Sequence, residues 1–171
     1  MSKFALWFAG TLGKYIPKEI AVLIISMIPL IELRGAVPVG VGLMLPVWKV
    51  MVISIVGNMI PVPIIFLFAR KVLEWGADKP VIGGFFRFCL DKGRKGGQKL
   101  QSKAGRGLYL ALLLFVGIPL PGTGAWTGTL AASILDMDFK KSILAVIGGV
   151  LLAGAIMLTV SLLGFGALGS F

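Results

Sequence analysis

Histidine is absent from this chain of 171 residues, and cysteine occurs once, at Cys89. Without an imidazole there is no histidine proton relay, no Ser–His nucleophile, no phosphohistidine chemistry and little basis for a zinc site. A single thiol excludes a disulfide framework and a thiolate-bound metal. Acids are scarce as well: 7 Asp and Glu stand against 17 Lys and Arg, a net charge of +10. No Ser/Lys or paired-Asp arrangement inside the apolar runs replaces the missing nucleophile. The sequence therefore argues against an enzyme, and neither a metal nor a cofactor is expected. Residues 1–17 also lack the pattern of a signal peptide. Their apolar part is short, and Lys14, Pro17 and Lys18 follow where small residues should mark a cleavage site.

What fills the chain instead is apolar. The hydrophobic fraction is 57%, with 24 glycines and a mean hydropathy of +0.98. Residues 50–69, 107–135 and 142–171 carry no charge at all. About 20 apolar residues span a bilayer as a helix, so the expected class is an all-α integral membrane protein. Ten of the basic residues fall within 70–106 against three acids, Glu74, Asp78 and Asp91. Basic loops stay on the cytoplasmic side. That places the chain in the cytoplasmic membrane with this segment inside, close to anionic lipid headgroups. Nucleic acid is not an expected partner despite the charge.

The runs divide into six segments. Residues 1–17 read as an amphipathic helix on the membrane interface, with Phe4, Trp7, Phe8 and Leu12 at helical spacing. Residues 20–48 are broken by Pro29, Gly35, Pro38, Gly40, Gly42 and Pro46, and so read as a re-entrant hairpin of two half-helices meeting at residues 32–38. Residues 50–69 form a transmembrane helix. Residues 70–106 are the basic segment, whose stretch 81–90 reads as an aromatic, interfacial helix. Residues 107–138 form a second re-entrant hairpin around a Gly- and Pro-rich tip, and residues 142–168 a second transmembrane helix. Ile28-Pro29-Leu30 corresponds to Ile118-Pro119-Leu120, Trp48-Lys49 to Phe139-Lys140, and Ile55-Val56-Gly57-Asn58 to Val146-Ile147-Gly148-Gly149. An odd number of crossings separates the two hairpins, so the halves form an inverted repeat, the arrangement of many secondary transporters.

The candidate site begins with Glu32 and Arg34, an acid and a base inside the first apolar run. A charge at bilayer depth costs about 2.5–3.5 kcal/mol on insertion scales and is found facing a partner or a wet cavity. Glu32 suits a proton- or cation-exchanging carboxylate, and Arg34 a fork for phosphate or carboxylate. The competing view is a structural ion pair. Residues two apart on a helix do not face each other, so a local pair needs an irregular tip, which Gly35 and Pro38 permit. In the second hairpin Pro119, Pro121, Gly122, Thr123, Gly124, Trp126 and Thr127 form a loop. Its amides, hydroxyls and half-helix ends can meet a polar group, or its small residues can serve close packing. Asn58, with Pro61 and Pro63, reads as a kink lining the cavity, and Asp136 and Asp138 as helix caps.

Two signatures together, Glu32-Leu33-Arg34-Gly35-Ala36-Val37-Pro38-Val39-Gly40 and Pro119-Leu120-Pro121-Gly122-Thr123-Gly124-Ala125-Trp126-Thr127-Gly128, resemble the small multidrug export proteins, over residues 20–154. That family is similar to the DedA superfamily. The resemblance implies two facing re-entrant hairpins that move lipids such as a polyprenyl phosphate, driven by protons. It places Glu32 where DedA proteins carry an acidic residue in the first hairpin. Their second hairpin carries an arginine after a proline; here residues 119–128 hold no charge, and Arg34 takes the cationic role from the first hairpin. A homodimer is expected, since so little protein must enclose two hairpins. The alternatives are proton-coupled export of cationic amphiphiles and a structural assembly factor.

Overall fold

The computed structural model describes residues 16–80 and 107–168 and, between them, 83–84, 86–88, 90–91 and 95. The interfacial helix read for residues 1–17 falls almost wholly outside these, as does most of the aromatic, basic stretch after Pro80. The described residues are helical, with no strand among them. In chain order they form α1 (Lys18–Met27), α2 (Glu32–Gly42), α3 (Val47–Met59), α4 (Pro61–Ile64), a π-helical turn (Ile65–Ala69), α5 (Arg70–Ala77), α6 (Leu108–Gly117), α7 (Ala125–Ile134) and α8 (Phe139–Leu168).

Proline sets the breaks. The residue before a proline is pushed out of the α region into extended backbone. Ile28, before Pro29, has φ −72° and ψ 128° and ends α1. Ile118, before Pro119, has φ −84° and ψ 119° and ends α6. The two Ile-Pro-Leu triplets thus terminate their helices by the same device. Pro46, with ψ 132°, stands directly ahead of α3. The long helix therefore starts at Val47, three residues before the stretch read from charge alone. The first tip also differs from the sequence reading. The irregular backbone lies at residues 28–31, and Glu32 to Gly42 is helical with Pro38 inside it. Pro38 removes a single amide donor, the one that would have met the Arg34 carbonyl, and the helix absorbs this loss.

Two helices are long and apolar enough to cross a membrane: Val47–Phe68, with a hydropathy of 2.3, and Phe139–Gly164, with 2.6. Their outward residues suit lipid; Ile64, Leu144 and Leu163 are 60–70% exposed. Around Val47–Phe68 the two helix–turn–helix units open at opposite ends. Lys18 Nζ donates to Leu43 O at 3.0 Å and pairs α1 with the α2–α3 turn at one end. Ser133 Oγ donates to Phe66 O at 2.7 Å near the other end, where Asp138 Oδ1 accepts the Lys141 N–H at 2.9 Å and caps α8. The core between them is built from Leu33, Val37, Val50, Leu112, Val116 and Val150, all at most 2% exposed.

Close helix contact depends on glycine. A Cβ built on Gly149 would lie 2.6 Å from Val116 Cβ and 2.7 Å from Leu113 O, whereas one on Gly164 meets nothing within 4 Å. Small residues of this kind let membrane helices approach until their backbones pack. Gly149→Ala is accordingly expected to lower stability by about 1–3 kcal/mol, as overpacking does. Gly164→Ala should be neutral. Thermal unfolding of the two variants in one detergent compares them directly.

Candidate functional site at the meeting of the two tips

Glu32 and Arg34 do not turn toward each other. Both reach across to the second helix–turn–helix unit. The Glu32 side chain is buried, and its residue is 4% exposed. Its Oε2 accepts the Ala125 N–H at 3.1 Å and its Oε1 the Trp126 N–H at 3.0 Å. These are first-turn amides of α7, which have no partner within their own helix. Gly124, which precedes α7, has no side chain to cap them. A carboxylate from another part of the chain does the capping, and its charge lies at the positive end of the helix dipole.

Arg34 is half-buried. Its Nη1 donates to Leu120 O at 2.6 Å, and its Nη2 to Thr123 Oγ1 at 2.7 Å and to Ile118 O at 3.4 Å. Those carbonyls follow the C-terminal end of α6, where the dipole is negative and the last carbonyls lack donors. One helical turn of the first unit therefore presents an anion to the start of α7 and a cation to the end of α6. Among the described residues no ion pair joins Glu32 to Arg34. The local pair considered from the sequence is replaced by two cross-links into the neighbouring unit.

Backbone geometry makes this possible. Glu32 has φ 51° and Leu30 φ 71°, a left-handed conformation that non-glycine residues adopt at a cost of about 1–2 kcal/mol. Such strain persists where surrounding contacts hold it and is concentrated at functional positions. Gly124 has φ 132° and ψ −177°, a region essentially reserved for glycine. A Cβ there would stand 2.8 Å from the Glu32 carboxyl carbon. Gly122, at φ 79°, completes the turn with open space around it. Thr123 knits the loop together, since its hydroxyl lies 2.8 Å from Leu120 O and 3.0 Å from Ile118 O.

The other sequence candidates take graded positions. Pro119, Leu120 and Pro121 form the loop that Arg34 grips. The Trp126 ring N–H is buried without a partner, while its backbone serves Glu32. Thr127, on the next residue of α7, is partly buried and has no role in the cross-links. Gly35 packs against Ile31, where a Cβ would collide with the isoleucine side chain. Pro38 lies one to two turns away from the meeting point, inside α2. Asn58 comes to the right depth. Val50 packs on Gly40, and α2 and α3 run antiparallel from that contact, so equal steps along each helix bring Asn58 level with Glu32. Asn58 is 2% exposed, and its Oδ1 has no partner.

Several buried polar groups escaped sequence reasoning. Ser26, Ser54, Thr129 and Ser142 are all 0% exposed, and the last three have no hydrogen-bond partner. The available signal was spacing: Ser54 with Asn58, and Thr129 with Ser133, are i, i+4 pairs on otherwise apolar helices, hence on shared faces. Among the described residues no group of His, Cys, Asp and Glu could hold a metal.

Comparison with known families supplies one match. The family described as "Putative small multi-drug export protein" fits residues 32–156, which runs from the buried carboxylate, just after the first tip, through the second tip and into α8. No curated protein and no solved structure matches the chain.

Proposed function

This chain belongs to the small multi-drug export family, and from that premise we propose that it is a transporter for an amphiphile with an anionic head, working at the meeting of the two tips. One observation carries the reading: a buried carboxylate of the protein itself occupies a ready-made anion site. The first amides of α7 bind anions by their geometry and dipole, and Arg34 and Thr123 lie on the other side of the same loop. A phosphate-bearing lipid of the polyprenyl phosphate type fits this donor set.

The mechanism follows from what Glu32 does there. Ionised, it holds the amides of Ala125 and Trp126 and keeps the tips closed. On taking a proton it loses its charge-assisted hydrogen bonds, which are about twice as strong as neutral ones. The amides then become available to the substrate's anion, which Arg34 meets with a planar fork. When the head departs, Glu32 gives up the proton and recaps α7. The substrate's anion and the ionised Glu32 carboxylate thus compete for one site, so that the proton and the substrate bind together, the basis of coupled transport. No covalent chemistry is involved, and the protein is a carrier, not an enzyme.

The surrounding architecture is read accordingly. The two helix–turn–helix units are re-entrant hairpins of an inverted repeat in the cytoplasmic membrane. Residues 70–106 lie on the inside against anionic lipid, and a homodimer encloses the paired hairpins. Irregular backbone at membrane depth must be buried in protein or line a cavity; residues 28–31 and 120–122 are exposed in the single chain, and the second protomer of the proposed dimer covers them.

The head-group charge is tested with Arg34→Ala in proteoliposomes, rates being normalised to folded protein. Movement of an anionic polyprenyl phosphate should fall about tenfold or more, the loss of one or two charge-assisted bonds. A cationic amphiphile that moved faster in Arg34→Ala than in wild type would reverse the assignment.

A further inference from the structure

A carboxylate that takes and gives protons at this depth needs a route to water, and α7 carries one. Ala125, Thr129 and Ser133 recur at i, i+4 and i+8, so they share one face of the helix. Ala125 is the residue whose amide holds Glu32. Thr129 is 0% exposed, and its hydroxyl has no partner. Ser133 lines a cavity of about 430 Å³ together with Lys71, Glu74 and Asp136. The two steps cover about 12 Å of helix rise, from the carboxylate to the end of the molecule where α7 turns into α8.

The wall facing this stripe is broken in a way that favours water. Ser133 Oγ bonds to Phe66 O, which fixes α7 against the π-helical turn, and one turn back Thr129 stands beside α4. There Pro61 and Pro63 have no N–H, so the carbonyls of Gly57 and Met59 receive no donor from the usual position four residues on. A hydroxyl without a partner and carbonyls without their usual donors are groups that internal water satisfies. π-helical turns are also frequent at functional sites.

Charge isolates the route. Arg34 is the other ionisable group at the depth of Glu32 among the described residues. Lys18, Glu19 and Lys49 sit at the end where α2 turns into α3, with Lys49 Nζ bonded to Glu19 Oε1 at 3.3 Å. Tyr109, Lys140 and Lys141 sit at the opposite end, near the cavity, with Lys141 over the Tyr109 ring. Neither α7 nor α4 contains an ionisable residue.

We propose that Glu32 exchanges its proton with the aqueous phase through a water-holding seam along α7, running from the cavity at Ser133 past Thr129 to the carboxylate. The inference rests on the reading of Glu32 as the coupling carboxylate and assigns that coupling to one side of the membrane. The proton enters from cavity water, passes along hydrogen-bonded water beside Thr129, and adds to a Glu32 oxygen; it leaves by the reverse path.

Two measurements test the seam without transport. In a Cys89→Ser background, single cysteines are introduced as Ser133→Cys, Thr129→Cys and Ser54→Cys and challenged with silver ion from either side of a vesicle. Ser133→Cys and Thr129→Cys should react from the face that carries the α7–α8 turn, and Ser54→Cys far more slowly. A Thr129→Cys that does not react, or that reacts from the opposite face, overturns the proposal. The second measurement follows the Glu32 carboxyl band by infrared spectroscopy after a pH jump, assigned by its loss in Glu32→Gln. Thr129→Val should slow its appearance about tenfold, the effect of one hydrogen bond missing from the path, and Thr129→Ser should restore it. Equal rates in wild type and Thr129→Val contradict the seam. A Glu32→Gln protein whose transport is accelerated by a gradient as strongly as wild type would instead overturn the functional reading and leave both measurements of the seam intact.

Discussion

Gly124→Ala is expected to unfold at a temperature lower by about 10 °C or more, a loss of roughly 3–5 kcal/mol in a chain of this size. Two costs combine. The backbone at Gly124, with φ 132° and ψ −177°, is closed to residues with a side chain at about 1–3 kcal/mol. The new methyl would also occupy the place of the Glu32 carboxylate, whose carbon lies 2.8 Å from it. Pushed aside, the carboxylate loses the Ala125 and Trp126 amides and becomes a buried charge without its partners. Gly122→Ala is the matched control. It has φ 79° but open space around it, so only strain of about 1 kcal/mol applies. The double variant Gly124→Ala/Glu32→Ala should recover part of the loss, because two groups in direct contact are not additive. Unfolding curves that show Gly124→Ala equal to Gly122→Ala would mean that the carboxylate does not sit where the structure places it.

Arg34→Ala is expected to have the second largest effect, and Arg34→Lys to repair little of it. The guanidinium holds three acceptors at once: Leu120 O, Thr123 Oγ1 and Ile118 O. Each bond to a charged group contributes about 1.5–3 kcal/mol. Half-exposure and the longest contact reduce the total, so a loss of about 2–4 kcal/mol is expected. Lysine brings a point charge on a flexible stem and cannot span the loop as a planar fork does. Hydrogen exchange at the amides of residues 118–124 should rise in both variants, because local opening tracks the loss of local contacts. Unchanged exchange there would show that Thr123 alone organises the tip.

These effects arise from contacts that the sequence half reveals. A charged pair in an apolar run was visible as an anomaly, and so was the Gly- and Pro-rich loop ninety residues on. That the two face each other is implied by the family resemblance alone, and which atoms meet was not visible. The partners of Glu32 and Arg34 are two amides and two carbonyls, groups that nearly every residue carries, together with one threonine hydroxyl. A search for a complementary charge in residues 119–128 finds none, and from that absence the sequence assigns the cationic role to Arg34 without naming its partners. The tip itself was placed four residues late, because Pro38 looks like a helix breaker and is in fact carried inside α2. Proline was a better guide at Ile28 and Ile118, where its steric effect on the preceding residue ended the helix. Long apolar stretches gave both membrane-capable helices to within three residues at their starts. Thr129 and Ser133 were overlooked because a small hydroxyl on an apolar helix resembles ordinary packing until its lack of a partner is seen.

In the proposed mechanism one carboxylate both closes the tips and couples them to protons. This dual role is tested most directly by following a polyprenyl phosphate between the leaflets of proteoliposomes, with and without a proton gradient, in wild type and Glu32→Gln. The glutamine keeps the size of the side chain and one acceptor oxygen but cannot exchange a proton. Wild type should move the lipid faster under the gradient, and Glu32→Gln should show the same slow rate in both conditions, about tenfold or more below driven wild type. Glu32→Gln accelerated by the gradient as strongly as wild type would contradict the account.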